Sequence, residues 1–157
     1  MKQLLCIYCL LCMTALACAQ NLKFNANGKF KIVQFTDVHY IFNDPRAEVA
    51  IERINEVLNA ENPDLVMFTG DVIYGKPAEK SMRTVLEQVS KRKIPFAVTF
   101  GNHDDEQGLS REKLFEIIEN IPYSLTATTK GISGTTNFIL PVKSSDGQKD
   151  AEILYDI

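Results

Sequence analysis

Histidine is scarce in this chain, and cysteine is absent beyond its first nineteen residues. The two histidines are His39 and His103, and all four cysteines (Cys6, Cys9, Cys12 and Cys18) precede Gln20. If that leader is removed, no disulfide framework and no zinc–thiolate site can form, so the fold must rest on packing and on any metal it binds. There is no block of basic residues either. Lys2 is the leader's one charge, so the chain's 17 basic and 20 acidic residues leave a net −4 beyond it. Nonspecific nucleic-acid binding normally needs a basic stripe, so that class is disfavoured and no nucleic-acid partner is expected. Gly-x-Ser-x-Gly, a Cys–His pair and a P-loop are all missing, which removes the common side-chain nucleophiles and phosphate cradles. No internal repeat or low-complexity linker interrupts the chain.

The leader itself has the grammar of an export signal. Lys2 is a short basic start, Leu4 to Ala17 is apolar and uncharged, and Ala17-Cys18-Ala19 is an A-x-A cleavage site. A membrane anchor would need a longer apolar run and flanking stop-transfer charges. Residues 1–19 are therefore expected to be a cleaved signal peptide, with a secreted or periplasmic product and no stable membrane span after cleavage. Ala15-Leu16-Ala17-Cys18 is a loose lipobox and offers lipoprotein anchoring as the alternative. Residues 20–157 are enough for one domain with a real core.

What the rest does contain is three apolar runs, each ending in metal-ligating residue types. Phe30–Thr36 runs into Asp37-Val38-His39, Leu65–Thr69 into Gly70-Asp71, and Pro95–Phe100 into Gly101-Asn102-His103-Asp104. Between them the pattern turns helical. Asn43-Asp44-Pro45 opens a first helix, with Asp44 as N-cap and Val49, Ile51, Ile54, Val57 and Leu58 as its apolar stripe. Pro77 opens a second, striped by Met82, Val85, Leu86 and Val89 and closed by Lys91-Arg92-Lys93, whose charge suits a helix C-terminus. Ser110 caps a third, with Leu114, Phe115, Ile117 and Ile118 inward. After Pro122 the spacing predicts short antiparallel strands over Tyr123–Thr128, Asn137–Val142 and Glu152–Ile157. Strand alternating with helix predicts a parallel sheet, which gathers the three motifs at one edge.

Read as chemistry, Asp37 and His39 are two apart on a segment taken as extended, so both side chains point one way and can chelate one ion. Asp71 follows a glycine that permits close backbone approach, and its two oxygens can bridge two ions. Asn102 offers a neutral oxygen to the second, and His103 could meet the substrate as an acid or charge stabiliser. Oxygen and imidazole donors suit Fe, Mn or Zn. Two such ions can activate water and clamp phosphate oxygens, and they would offset an acidic surface that otherwise repels phosphate esters.

Taken together, these three motifs resemble those of the calcineurin-like metallophosphoesterases, and the runs Phe35–Tyr40, Phe68–Ile73 and Phe100–Glu106 look like the branch near purple acid phosphatases. Pro122-Tyr123-Ser124-Leu125 and Asn137–Val142 are similar to that branch too. The resemblance implies an α/β fold, a two-sheet sandwich flanked by helices. It implies an exported, metal-dependent hydrolase of phosphate esters that uses a metal-bound hydroxide at a binuclear centre. Asp37 and His39 would bind the first metal, Asp71 bridge, Asn102 bind the second and His103 contact the phosphoryl group. Asp104 would orient His103 or cap a turn, while Asp105 and Glu106 are expected to be solvated. Tyr74, in Gly70-Asp71-Val72-Ile73-Tyr74, is similar to a tyrosine-ligand motif of the purple phosphatases. Those enzymes usually have glycine where His39 stands, so Tyr74 either ligates or packs. The family's later histidines have no counterpart here. That implies a chain lacking the C-terminal half of the sandwich, weakly active or inactive alone, with an apolar sheet face left for a complementing segment. The alternative is a non-catalytic fragment or partner-binding module of the same fold.

Overall fold

The computed structural model describes residues 22–151. The leader and the expected last strand, Glu152–Ile157, lie outside those residues. Three strands, β1 (Ile32–Phe35), β2 (Leu65–Thr69) and β3 (Phe96–Thr99), form a parallel sheet in the order β1-β2-β3. Parallel neighbours need a crossover between them. Helices α1 (Glu48–Glu61) and α2 (Ala78–Ser90) supply the two crossovers, and α3 (Arg111–Glu119) follows β3. A short antiparallel pair, β4 (Val142–Lys143) with β5 (Asp150–Ala151), completes the described elements. The α/β class and the strand–helix alternation are as predicted.

The two-residue alternation of a strand sorts the sheet's side chains onto two faces. Val66, Phe68, Phe96 and Val98 point into one fully buried cluster with Ile54 and Leu58 of α1, Met82, Val85, Leu86 and Val89 of α2, and Leu114 and Ile118 of α3. All three helices therefore cover the same face. The opposite face carries a smaller cluster, Leu22, Leu65 and Val142, against which Phe30, Ile32, Met67, Leu125 and Leu140 are only partly buried. An incompletely covered second face was expected from the sequence. Among the described residues, no helix is long and apolar enough to cross a membrane.

Several expectations need correction. Asp44 does not cap α1. Its carboxylate accepts from the Arg46 N–H in a turn before the helix, which starts at Glu48 behind an uncapped Ala47. Val49, placed in the apolar stripe, is exposed, because at 3.6 residues per turn it falls on the side of α1 opposite the buried Ile54 and Leu58. Residues 123–128 make no strand of their own. They run beside β3 through Phe96 N–H to Tyr123 O, Leu125 N–H to Phe96 O and the buried Thr126 hydroxyl, which accepts from Val98 N–H. Of Asn137–Val142 only Val142 lies in a strand, while Asn137 O accepts from Thr129 N–H across a loop. Ser110 does cap α3, its hydroxyl accepting from Lys113 N–H.

Candidate metal centre

The sheet does not stop pairing where its strands end. The loop after β1 continues alongside the loop after β2 through Asp37 N–H to Gly70 O, His39 N–H to Asp71 O, Tyr40 N–H to Val72 O and Tyr74 N–H to Tyr40 O. The backbone along this stretch is not extended as assumed. Asp37, His39 and Asp71 all adopt left-handed conformations, with φ of 53°, 49° and 50°. Such conformations are uncommon outside glycine, cost of the order of 1–3 kcal/mol each, and gather at functional sites. Here they re-aim the side chains so that His39 turns to Asp71 rather than lying parallel to Asp37.

One ligand atom from each of His39, Asp71 and His103 falls within 4.8 Å of the others. His39 Nε2 stands 3.6 Å from Asp71 Oδ2. The His39 Nδ1 contact is the Asp37 carbonyl at 3.1 Å. A carbonyl can only accept, so Nδ1 carries the proton and a neutral His39 presents an Nε2 lone pair to the carboxylate. His103 is arranged likewise: Nδ1–H donates to Glu106 at 2.6 Å, which leaves Nε2 as the free nitrogen. When both imidazoles are neutral, two lone pairs and a carboxylate oxygen converge here, an arrangement a cation satisfies. A carbonyl or carboxylate on the far nitrogen is the usual support of a ligating histidine. The donor set therefore fits a metal ion, and of O/N-binding type.

The other expected residues are placed less centrally. Asp37 is exposed, and its carboxylate accepts from the Thr36 hydroxyl at 2.7 Å. Asn102 lies exposed at the turn between Gly101 and His103. Asp104 makes no hydrogen bond to the His103 ring. It is fully buried, with Oδ2 accepting from Asp71 N–H and Gly101 N–H and Oδ1 from Ile73 N–H. Burial pushes its pKa up, against the pull of these amides. The carboxylate that engages His103 is Glu106, which is exposed as expected but also hydrogen-bonds the ring. It sits three residues on in the 3-10 turn Asp104–Gln107, and its hydrogen bond holds the His103 pKa above the ordinary value against partial desolvation. The i,i+3 spacing was the one sequence signal for that pairing. Asp105 pairs with Arg111 at 3.3 Å. Tyr74 is half exposed, and its ring stands edge-on to both imidazoles, 5.4 Å from His39 and 5.0 Å from His103.

Comparison with known proteins points the same way. Residues 30–147 match the family model described as calcineurin-like phosphoesterase. The chain is 37% identical over 153 residues to "Phosphatase DCR2" of Saccharomyces cerevisiae, covering 82% of this chain and 26% of that protein. It is 33% identical over 135 residues to "Probable inactive purple acid phosphatase 29" of Arabidopsis thaliana, covering 75% and 35%. It is 30% identical over 152 residues to "Probable inactive purple acid phosphatase 14" of the same plant, covering 82% and 38%. The chain thus spans roughly a quarter to two fifths of the length of these relatives.

Proposed function

The chain belongs to the calcineurin-like phosphoesterase family, and from that premise we propose that it carries part or all of the metal centre of an exported phosphatase acting on phosphate esters. The observation that carries this reading is the convergence of His39, Asp71 and His103 with both histidines supported from behind. Asp37, His39, Asp71 and Asn102 would hold two ions, of Fe, Mn or Zn, with Asp71 between them. Bound ions of this kind make a water nucleophilic at neutral pH and neutralise phosphate oxygens. His103, held by Glu106, would donate to a phosphoryl or leaving-group oxygen from Nε2 when protonated. Tyr74 forms a wall of the site beside both rings. Export is supported by the leader's Lys2, its apolar stretch and Ala17-Cys18-Ala19.

Phosphate release from an aryl phosphate monoester tests the reading. Activity should require Mn²⁺, Zn²⁺ or Fe, vanish on chelation, and fall by about 100-fold or more in Asp71→Asn, since metal and hydrogen-bond terms each supply several kcal/mol to such reactions. Two relatives are described as probable inactive phosphatases, which favours a second reading: a non-catalytic module that binds metal or completes its sheet on a partner segment. Metal binding by calorimetry without phosphate release at any metal would select that alternative.

A further inference from the structure

Asp104 is the one fully buried carboxylate among the described residues, and it forms no hydrogen bond or ion pair with the side chains of the cluster. Its partners are all backbone. Asp71 N–H (3.1 Å) and Ile73 N–H (3.1 Å) belong to the loop after β2, and Gly101 N–H (2.9 Å) to the loop after β3. The arrangement is reciprocal, because Asp71 Oδ1 accepts from the His103 N–H at 2.8 Å. Each loop therefore sends a carboxylate into the amides of the other. The loops also touch backbone to backbone, for a Cβ on Gly70 would crowd Gly101 Cα and a Cβ on Gly101 would collide with the Asp71 amide and carboxylate. An isolated buried carboxylate is costly, and an apolar side chain of similar size often serves stability as well or better. A charge placed here is explained by what its two oxygens can do that an apolar group cannot, which is to fix three amides of two loops at once.

We propose that Asp104 is a positioning residue, whose bridge between the two loops sets the separation of Asp71 from Asn102 and His103. The assignment rests on the metal-centre reading for its purpose, but the bridge itself can be measured without metal. In Asp104→Asn the side chain keeps its shape, but its NH₂ group must face at least one backbone N–H. Hydrogen exchange at Asp71, Ile73 and Gly101 should then accelerate, and affinity for Mn²⁺ alone should fall about 10- to 100-fold, the usual cost of losing a group that supports a ligand. Ile118→Val, in the core of α3, serves as the control for general destabilisation. It should lower the melting temperature while leaving Mn²⁺ affinity unchanged. Unaltered exchange at the three amides in Asp104→Asn would overturn the proposal, as would equal loss of affinity in the core variant. Should Asp104→Asn not fold, the parent chain decides. The three amides lie in loops yet must exchange slowly, and fast exchange at all of them refutes the bridge. A parent chain that binds no Mn²⁺ tells against the metal centre instead, and the exchange rates alone then decide the role of Asp104.

Discussion

Glu106 and Asp104 divide between them what the sequence offered as one acid beside one histidine. Asp104 is adjacent in sequence, but a 3-10 turn throws its side chain inward to the loop amides. Glu106, three residues beyond His103, accepts from its ring Nδ1–H. Replacing Glu106 with alanine should lower the His103 pKa and release its Nδ1 tautomer. With two histidines in the chain, NMR titration of the imidazoles reads this directly, and an unmoved His103 would remove Glu106 from the site. That His39, Asp71 and His103 gather was legible at this scale, because all three belong to motifs that end apolar runs. Ligand direction was not, because the left-handed turns at Asp37, His39 and Asp71 are set by how neighbouring loops pair. No short pattern in the residues encodes that.

At the scale of elements, helices with a strong apolar period were read well. Met82, Val85, Leu86 and Val89 are all buried, as a 3.6-residue period demands. The start of α1 was misread because Asp44 and Pro45 carry the signals of a helix opening yet build a separate turn. There Asp44 accepts from Arg46 backbone and side chain, which together lower its pKa to about 2. A carboxylate lowered from its unfolded value contributes stability above the unfolded pKa, here 3.8, and loses it as pH falls toward 2. Acid unfolding should therefore show a small loss over that window that is missing in Asp44→Asn. The effect should be small because the pair is at the surface, and it is measured as the difference between the two pH–stability curves. The stretches Tyr123–Thr128 and Asn137–Val142 were overread as strands. Leu125 and Leu140 pack against the second cluster and Tyr123 against the main core, while Ile132 and Ile139 are exposed, and turns at Gly131 and Gly134 break any longer ladder.

For the whole molecule, the two faces of the sheet differ in how much they are covered. Leu86→Ala, on the helix-covered face, should cost about 2–5 kcal/mol, the range for deleting a fully packed leucine. Met67→Ala, on the other face, should cost clearly less, since Met67 is only partly buried. Urea unfolding of both variants measures the contrast, and equal losses would mean that the second face is as well packed as the first. The alternation of strand and helix made the overall architecture legible, while the coverage of each face depends on distant chain segments and was visible only as an apolar surplus. The unbroken pairing past the strand ends has a further consequence. Val33 faces Val66 and Tyr40 faces Ile73, the same offset of 33 on both sides of the ligand loops. Equal lengths of chain are thus spent on the two loops, so a deletion or insertion of one residue in either would shift His39 against Asp71. Tolerance of length change should be nil between Val33 and Tyr40 or Val66 and Ile73, and generous around the glycine turns at 131 and 134, whatever the residues that fill them.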